Sequence, residues 1–146
     1  MKTAANPLYI LLAGVILSSC QMKTYTTTDP RFPQVFGREI RTKHTLRLYP
    51  INRDLTGELD HHLITESLFQ SLDPDENEIG VLPVGHPVVF DKLMRERTPD
   101  YVAESLFGKT LFRGTTYPVC FKLGWLGDES NSGWKGIYYS FDVPKP

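Results

Sequence analysis

From Glu39 to Leu48 the chain alternates, with Ile40, Thr42, His44, Leu46 and Leu48 on one side and Glu39, Arg41, Lys43, Thr45 and Arg47 on the other. A period of two with one charged face predicts a half-buried strand. Pro50 through Gly57 supplies turn residues that end it. Over residues 59–72 the apolar positions Leu59, Leu63, Ile64, Leu68, Phe69 and Leu72 scatter around a helical wheel, so no clean amphipathic helix emerges. A short strand around Leu63–Thr65 followed by a helical turn or loop fits equally well. After an acidic loop over residues 73–78, Ile79–Leu82 and Val88–Leu93 flank Pro83-Val84-Gly85-His86-Pro87. That is strand, turn, strand, with Gly85 free to take positive φ.

Thr98-Pro99-Asp100 predicts the start of a helix: Thr98 can cap, Pro99 suits the first helical position and Asp100 complements the dipole. Val102, Leu106 and Phe107 give it an apolar stripe, and Gly108 is placed to close it. The last forty residues read as a long hairpin. Val119, Phe121, Leu123 and Trp125 form one arm; Ile137, Tyr139, Phe141 and Val143 form the other, across the loop 127–133.

The N-terminus is of another kind. Lys2 precedes the apolar run Leu8–Leu17, and the small residues Ser18 and Ser19 lead to Cys20. Ten apolar residues rise only about 15 Å as a helix, roughly half a hydrocarbon core, so a lasting span is not expected. Leu17-Ser18-Ser19-Cys20 resembles the lipobox of bacterial lipoproteins. The resemblance implies a signal peptide over residues 1–19 and a mature chain that starts at a lipidated Cys20. That residue would carry a diacylglyceryl thioether and an acylated amine, and several acyl chains hold where one is marginal, each buried methylene contributing about 0.8 kcal/mol. Gln21, where an Asp would resemble an inner-membrane retention signal, resembles the sorting of Gram-negative lipoproteins to the outer membrane; the domain is expected on the periplasmic side. Residues 20–34 are then expected to be the lipidated cysteine and a flexible tether, with four threonines and two prolines in it, and residues 35–146 a single β-rich domain.

Removing 19 of 146 residues leaves 127, one domain by length. Only Lys2 of the 16 basic residues lies in the signal, so 15 bases face 17 acids and the mature formal charge is −2. Without a basic run there is no electrostatic footprint for nucleic acid. Cys120 is left without a partner for a disulfide and reads as a small buried hydrophobe.

Catalytic and metal motifs do not stand out. Glu58, Asp60, His61, His62 and Glu66 come closest to a metal cluster, but adjacent histidines on a strand point opposite ways. Neither His-Glu-x-x-His nor a Cys-x-x-Cys pair occurs. The acidic loop lacks the glycine and ligand spacing of an EF-hand. No cofactor is expected. A thiol nucleophile would need Cys120 beside His44 or His86. The surplus is aromatic: Tyr117, Trp125, Trp134, Tyr138 and Tyr139 crowd the C-terminal end as a candidate interaction surface.

The expected fold is mainly β, a small antiparallel half-open barrel or sandwich of five to seven strands with one short helix near 98–107. Leu82-Pro83-Val84-Gly85-His86-Pro87-Val88 is similar to the segment leading into a core strand of small Src-homology-like barrels of bacterial envelope proteins. The expected function is non-enzymatic: a membrane-anchored outer-membrane lipoprotein whose periplasmic domain binds another envelope protein. The alternatives are a peptidoglycan or glycan binding module, and a small envelope enzyme using Cys120 or a histidine.

Overall fold

The computed structural model describes residues 21–51, 60–65, 78–125 and 135–144. The chain is mainly β: one open, curled sheet forms a half-barrel, and the described residues include a single short helix. In chain order the strands are β1 Met22–Thr26, β2 Glu39–Thr42, β3 Leu46–Ile51, β4 His62–Thr65 and β5 Gly80–Leu82. Then come β6 Pro87–Arg97, β7 Val102–Phe112, β8 Thr115–Trp125, the helix α1 Lys135–Ser140, and β9 Phe141–Asp142. The sheet runs β5-β3-β4-β8-β7-β6-β2-β9, with β1 also on β6. Its pairs are antiparallel except β4 on β8.

The three eleven-residue strands β6, β7 and β8 are the backbone of the half-barrel. Their alternation sends Val88, Phe90, Leu93, Leu106, Val119, Phe121 and Leu123 to one large core, which Phe32, Val35, Leu46, Leu48, Ile64, Ile137 and Phe141 complete. Phe141 stands edge-on to Phe90 at 5.4 Å and to Phe121 at 5.1 Å. Adjacent strand residues face opposite ways, so Met94, Phe107 and Cys120 form a second, smaller cluster on the other face. A bulge between Phe90 and Lys92 switches the parity of β6, which is how Phe90 and Leu93 serve the same core.

The expected helix over 98–107 is instead the turn into β7. Thr98 does act as a cap: its hydroxyl accepts from the Asp100 and Tyr101 amides, at 3.3 and 3.1 Å. But its own amide donates to the Tyr101 carbonyl and closes a β6–β7 hairpin. The same local bonds begin a helix or tighten a turn, and here two long neighbours supply a full ladder for β7. Gly108 does not end anything. A Cβ there would lie 2.0 Å from the Val89 carbonyl oxygen, so only glycine lets β6 and β7 approach at the bulge.

The long C-terminal hairpin does not form either. Both edges of β8 are taken, by β7 and β4, so residues 137–143 find other partners. Residues 135–140 coil into α1, which buries Ile137 and Ser140 and turns Tyr139 outward. Phe141–Asp142 then pairs with Thr42 and Arg41. The hairpin that β8 does make is with β7, through the two-residue turn Arg113-Gly114, both at positive φ.

The tether is likewise corrected over most of its length. Residues 22–26 pair from Met22↔Arg97 to Thr26↔Leu93, and Asp29, Phe32 and Val35 are buried. β2 covers only Pro87–Val89 of β6. The remaining edge is filled by β1, whose β-branched threonines suit an exposed edge strand. The strand read over 39–48 keeps its alternation, with Ile40, Thr42, Leu46 and Leu48 buried, but breaks at the corner 43–45 into β2 and β3, leaving His44 exposed. With β7 in place of the expected helix, these two changes bring the count to nine described strands. β4 meets the reading of Leu63–Thr65 as a strand.

The turn at Gly85 does have positive φ. Two buried threonines secure it. The Thr42 hydroxyl donates to the Pro83 carbonyl at 2.6 Å and accepts the His86 amide at 3.0 Å. The Thr110 hydroxyl donates to the Pro87 carbonyl at 2.8 Å, so its contact with His86 Nε2 at 2.9 Å has the ring nitrogen as donor. Burial pushes the His86 pKa below its ordinary value, partly opposed by a hydrogen bond with the Leu111 backbone.

Candidate functional site

The aromatic residues singled out from sequence do not form one row. Tyr117 and Tyr138 are half-buried against the main core. The Tyr138 hydroxyl donates to the Arg31 carbonyl at 3.0 Å and ties α1 to the N-terminal segment. Trp134, the Trp125 side chain and Cys20 lie outside the described residues.

Tyr139 is different. It is 60% exposed, and its ring lies on that of His44 with centroids 4.6 Å apart. The corner 43–45 and α1 place the two rings together: the Lys43 amide donates to the Ser140 carbonyl at 2.8 Å, and Lys43 Nζ to the Tyr138 carbonyl at 2.9 Å. Next along β2, Arg41 is exposed, donating to Glu39 at 2.6 Å and to the Gly85 carbonyl at 2.9 Å. A shallow groove of about 310 Å³ runs beside it, between Gln34, Arg38 and Arg41 on one side and Asp142 and Pro144 on the other. This end of the sheet offers two exposed rings, three cationic side chains and an apolar-polar groove. Exposed Tyr and Arg are the residue types enriched where proteins meet.

The opposite end of β6 carries a charge cluster that pattern reading missed. Glu104 is only 2% exposed. Arg31 grips it with two bonds, Nη1 to Oε2 at 2.9 Å and Nη2 to Oε1 at 2.8 Å. Arg95, opposite it on β6, adds Nε and Nη2 to Oε1 at 2.9 and 2.6 Å. Arg31 also holds Asp29 through Nε at 2.9 Å and Nη2 at 2.6 Å. The side-chain bond from Arg31 holds the Asp29 carboxyl below its ordinary pKa, against the opposing effect of burial. Asp29 and Glu104 in turn raise the Arg31 pKa above its ordinary value. Two bases and two acids leave the cluster without net charge. Beside it a groove of about 350 Å³ is lined by Thr24, Thr26, Thr28 and Leu93. Such a cluster is built to fasten the N-terminal segment to the sheet; an ionised Asp29 paired to Arg31 is poorly suited to proton transfer.

The remaining candidates go separate ways. His61 bonds Asp60 at 2.7 Å and stands edge-on to Phe107, while His62 Nδ1 lies 3.1 Å from the Pro118 carbonyl. Glu58 and Glu66 lie outside the described residues, within which no three acids, histidines or cysteines are grouped as metal ligands. Cys120 is fully buried beside Met94 and Phe107, whereas His44 is engaged with Tyr139 and His86 with Thr110. Among the described residues no helix is long and apolar enough to cross a membrane.

The charge cluster did leave a trace in the sequence. Glu104 is in phase with Leu106, Gly108, Thr110 and Phe112, all buried along β7. An acid on the inward side of a strand requires a cation, but reading the segment as a helix hid that phase. The chain matches no family model, no curated protein and no solved structure.

Proposed function

We propose that this chain is a non-enzymatic lipoprotein of the bacterial envelope, anchored through Cys20 to the outer membrane, whose periplasmic half-barrel docks a second envelope protein. The anchor rests on the lipobox Leu17-Ser18-Ser19-Cys20. The docking role is carried by one observation: Tyr139 packs against His44, the rings tilted by 31°, at an open end of the sheet and remains 60% exposed, beside Arg41 and Lys43. A large ring left in water, held in place by a neighbour, is a pre-organised contact that loses little entropy on binding.

The same exposed ring favours a second reading, stacking on a sugar of the cell wall. Crosslinking in intact cells separates the two. The full lipidated chain and its Tyr139→Ala variant are crosslinked, purified and resolved by mass spectrometry. Docking predicts one dominant protein adduct that the variant loses. Peptidoglycan fragments in its place support wall binding. An adduct indifferent to Tyr139 removes this surface from the account.

A further inference from the structure

We infer that the half-barrel is held flush against the lipid surface by the Met22 end of β1, with Arg97 and the Thr98–Tyr101 turn at the level of the headgroups. The inference rests on the lipid-anchor reading of Cys20 and adds an orientation to it.

A thirteen-residue tether would let the domain stand about 45 Å away from its anchor. The fold takes up that slack. Met22 is already paired to Arg97, and the Gln21 side-chain amide donates to Glu96. Only two residue steps separate Cys20 from Met22, a reach of about 7 Å. Peeling β1 off β6 would recover length, but beyond Thr26 the chain is fastened again, by Arg31 on Glu104, with Asp29 holding the same guanidinium.

The chemistry of that end agrees with the geometry. Met22, Arg97 and Val102 form a row across β1, β6 and β7. Met22 is 55% exposed, an apolar side chain beside the anchor. Arg97, its cross-strand neighbour, is exposed and in no ion pair among the described residues. A thioether side chain that can enter the acyl boundary and a guanidinium that can meet a lipid phosphate are the pair an interface accommodates. The Arg113-Gly114 turn lies at the other end of β7, about 33 Å away at 3.3 Å per residue. Tyr139 and His44 belong to that distal end too, since β2 and β9 join β6 through Arg41↔Pro87 and Arg41↔Asp142. The docking surface then points away from the membrane, into the periplasm.

The test uses the full chain, produced with its signal and reconstituted in vesicles of phosphatidylethanolamine and phosphatidylglycerol that contain headgroup-nitroxide lipid. A fluorophore is attached at Asp100→Cys, in the turn, or at Leu111→Cys, near the distal hairpin; both native side chains are exposed. Cys120 is fully buried, so labelling is directed to the new thiol. The expected result is loss of most emission at position 100 and little change at 111. A Gly/Ser insertion of about fifteen residues between Gln21 and Met22 restores some 20 Å of slack and should release the quenching at 100. The intact mass of the N-terminal peptide reads the anchor separately. Acyl chains present with equal quenching at 100 and 111 overturn the orientation alone; acyl chains absent remove the anchor reading beneath it.

Discussion

Arg31 and Glu104 are joined by two parallel hydrogen bonds of 2.8 and 2.9 Å, although 73 residues separate them in the chain. The pair fastens the segment between β1 and β2 onto the beginning of β7. It also fixes where the N-terminus can go. Glu104→Gln keeps one oxygen acceptor but removes the negative charge that Arg31 and Arg95 share, and it sets an amide NH2 where the second carboxylate oxygen accepted. Loss of one partner from a fully buried pair costs about 3–5 kcal/mol, and both guanidiniums here reach solvent, so about 2 kcal/mol is expected. Urea unfolding measures it, and β1 amides should exchange faster in the same variant.

Gly108 offers a sharper test of the local geometry. A methyl group there meets the Val89 carbonyl oxygen at 2.0 Å and the Phe90 Cα at 2.6 Å. Backbone has to move, so Gly108→Ala should destabilise the protein by about 3 kcal/mol or prevent folding. At an ordinary helix or strand position the same change would be neutral to stabilising.

Acid should weaken the fold in two steps. His86 has its pKa lowered in the folded protein, so below its ordinary value of 6.5 the unfolded chain binds the proton first and stability falls with pH. His86→Gln should flatten that part of the profile. Asp29, also lowered, contributes stability above its ordinary value of 3.8 that is lost as pH falls further, through the depressed folded value. Urea midpoints from pH 7.5 to 3 follow both steps.

Tyr139→Ala should separate stability from docking. The side chain is mostly in solvent, so its removal should change stability by no more than about 0.5 kcal/mol while abolishing the crosslinked protein adduct. Phe141→Ala, two residues on, removes a fully buried ring from the main core and should cost about 3–5 kcal/mol.

The sequence carried the architecture through its alternating positions. Ile40, Thr42, Leu46 and Leu48 are buried as their phase requires, and Val119, Phe121 and Leu123 enter one core. Partner choice was not legible, because it depends on which strand edges are already taken. Residues 137–143 have the alternation of a strand, yet β8 had no edge left to give them. Thr98-Pro99-Asp100 carries a capping signal that serves a helix or a turn, and only the ladder on both sides of β7 decides between them. Met22–Thr26 lacks apolar periodicity because it lies on an exposed edge, where threonine suffices. Of the candidate surface, Tyr139 was visible as an aromatic residue but His44 was not visible as its partner, since the contact needs the corner at 43–45 and the helix α1.

Both the docking role and the orientation on the membrane depend on what happens at Cys20. The most direct measurement is the intact mass of the mature protein purified from cell membranes. The expected mass shows loss of residues 1–19 together with the addition of a diacylglyceryl group and an acylated amine on Cys20. A mature chain with an unmodified Cys20, or one that keeps its first nineteen residues, would contradict it.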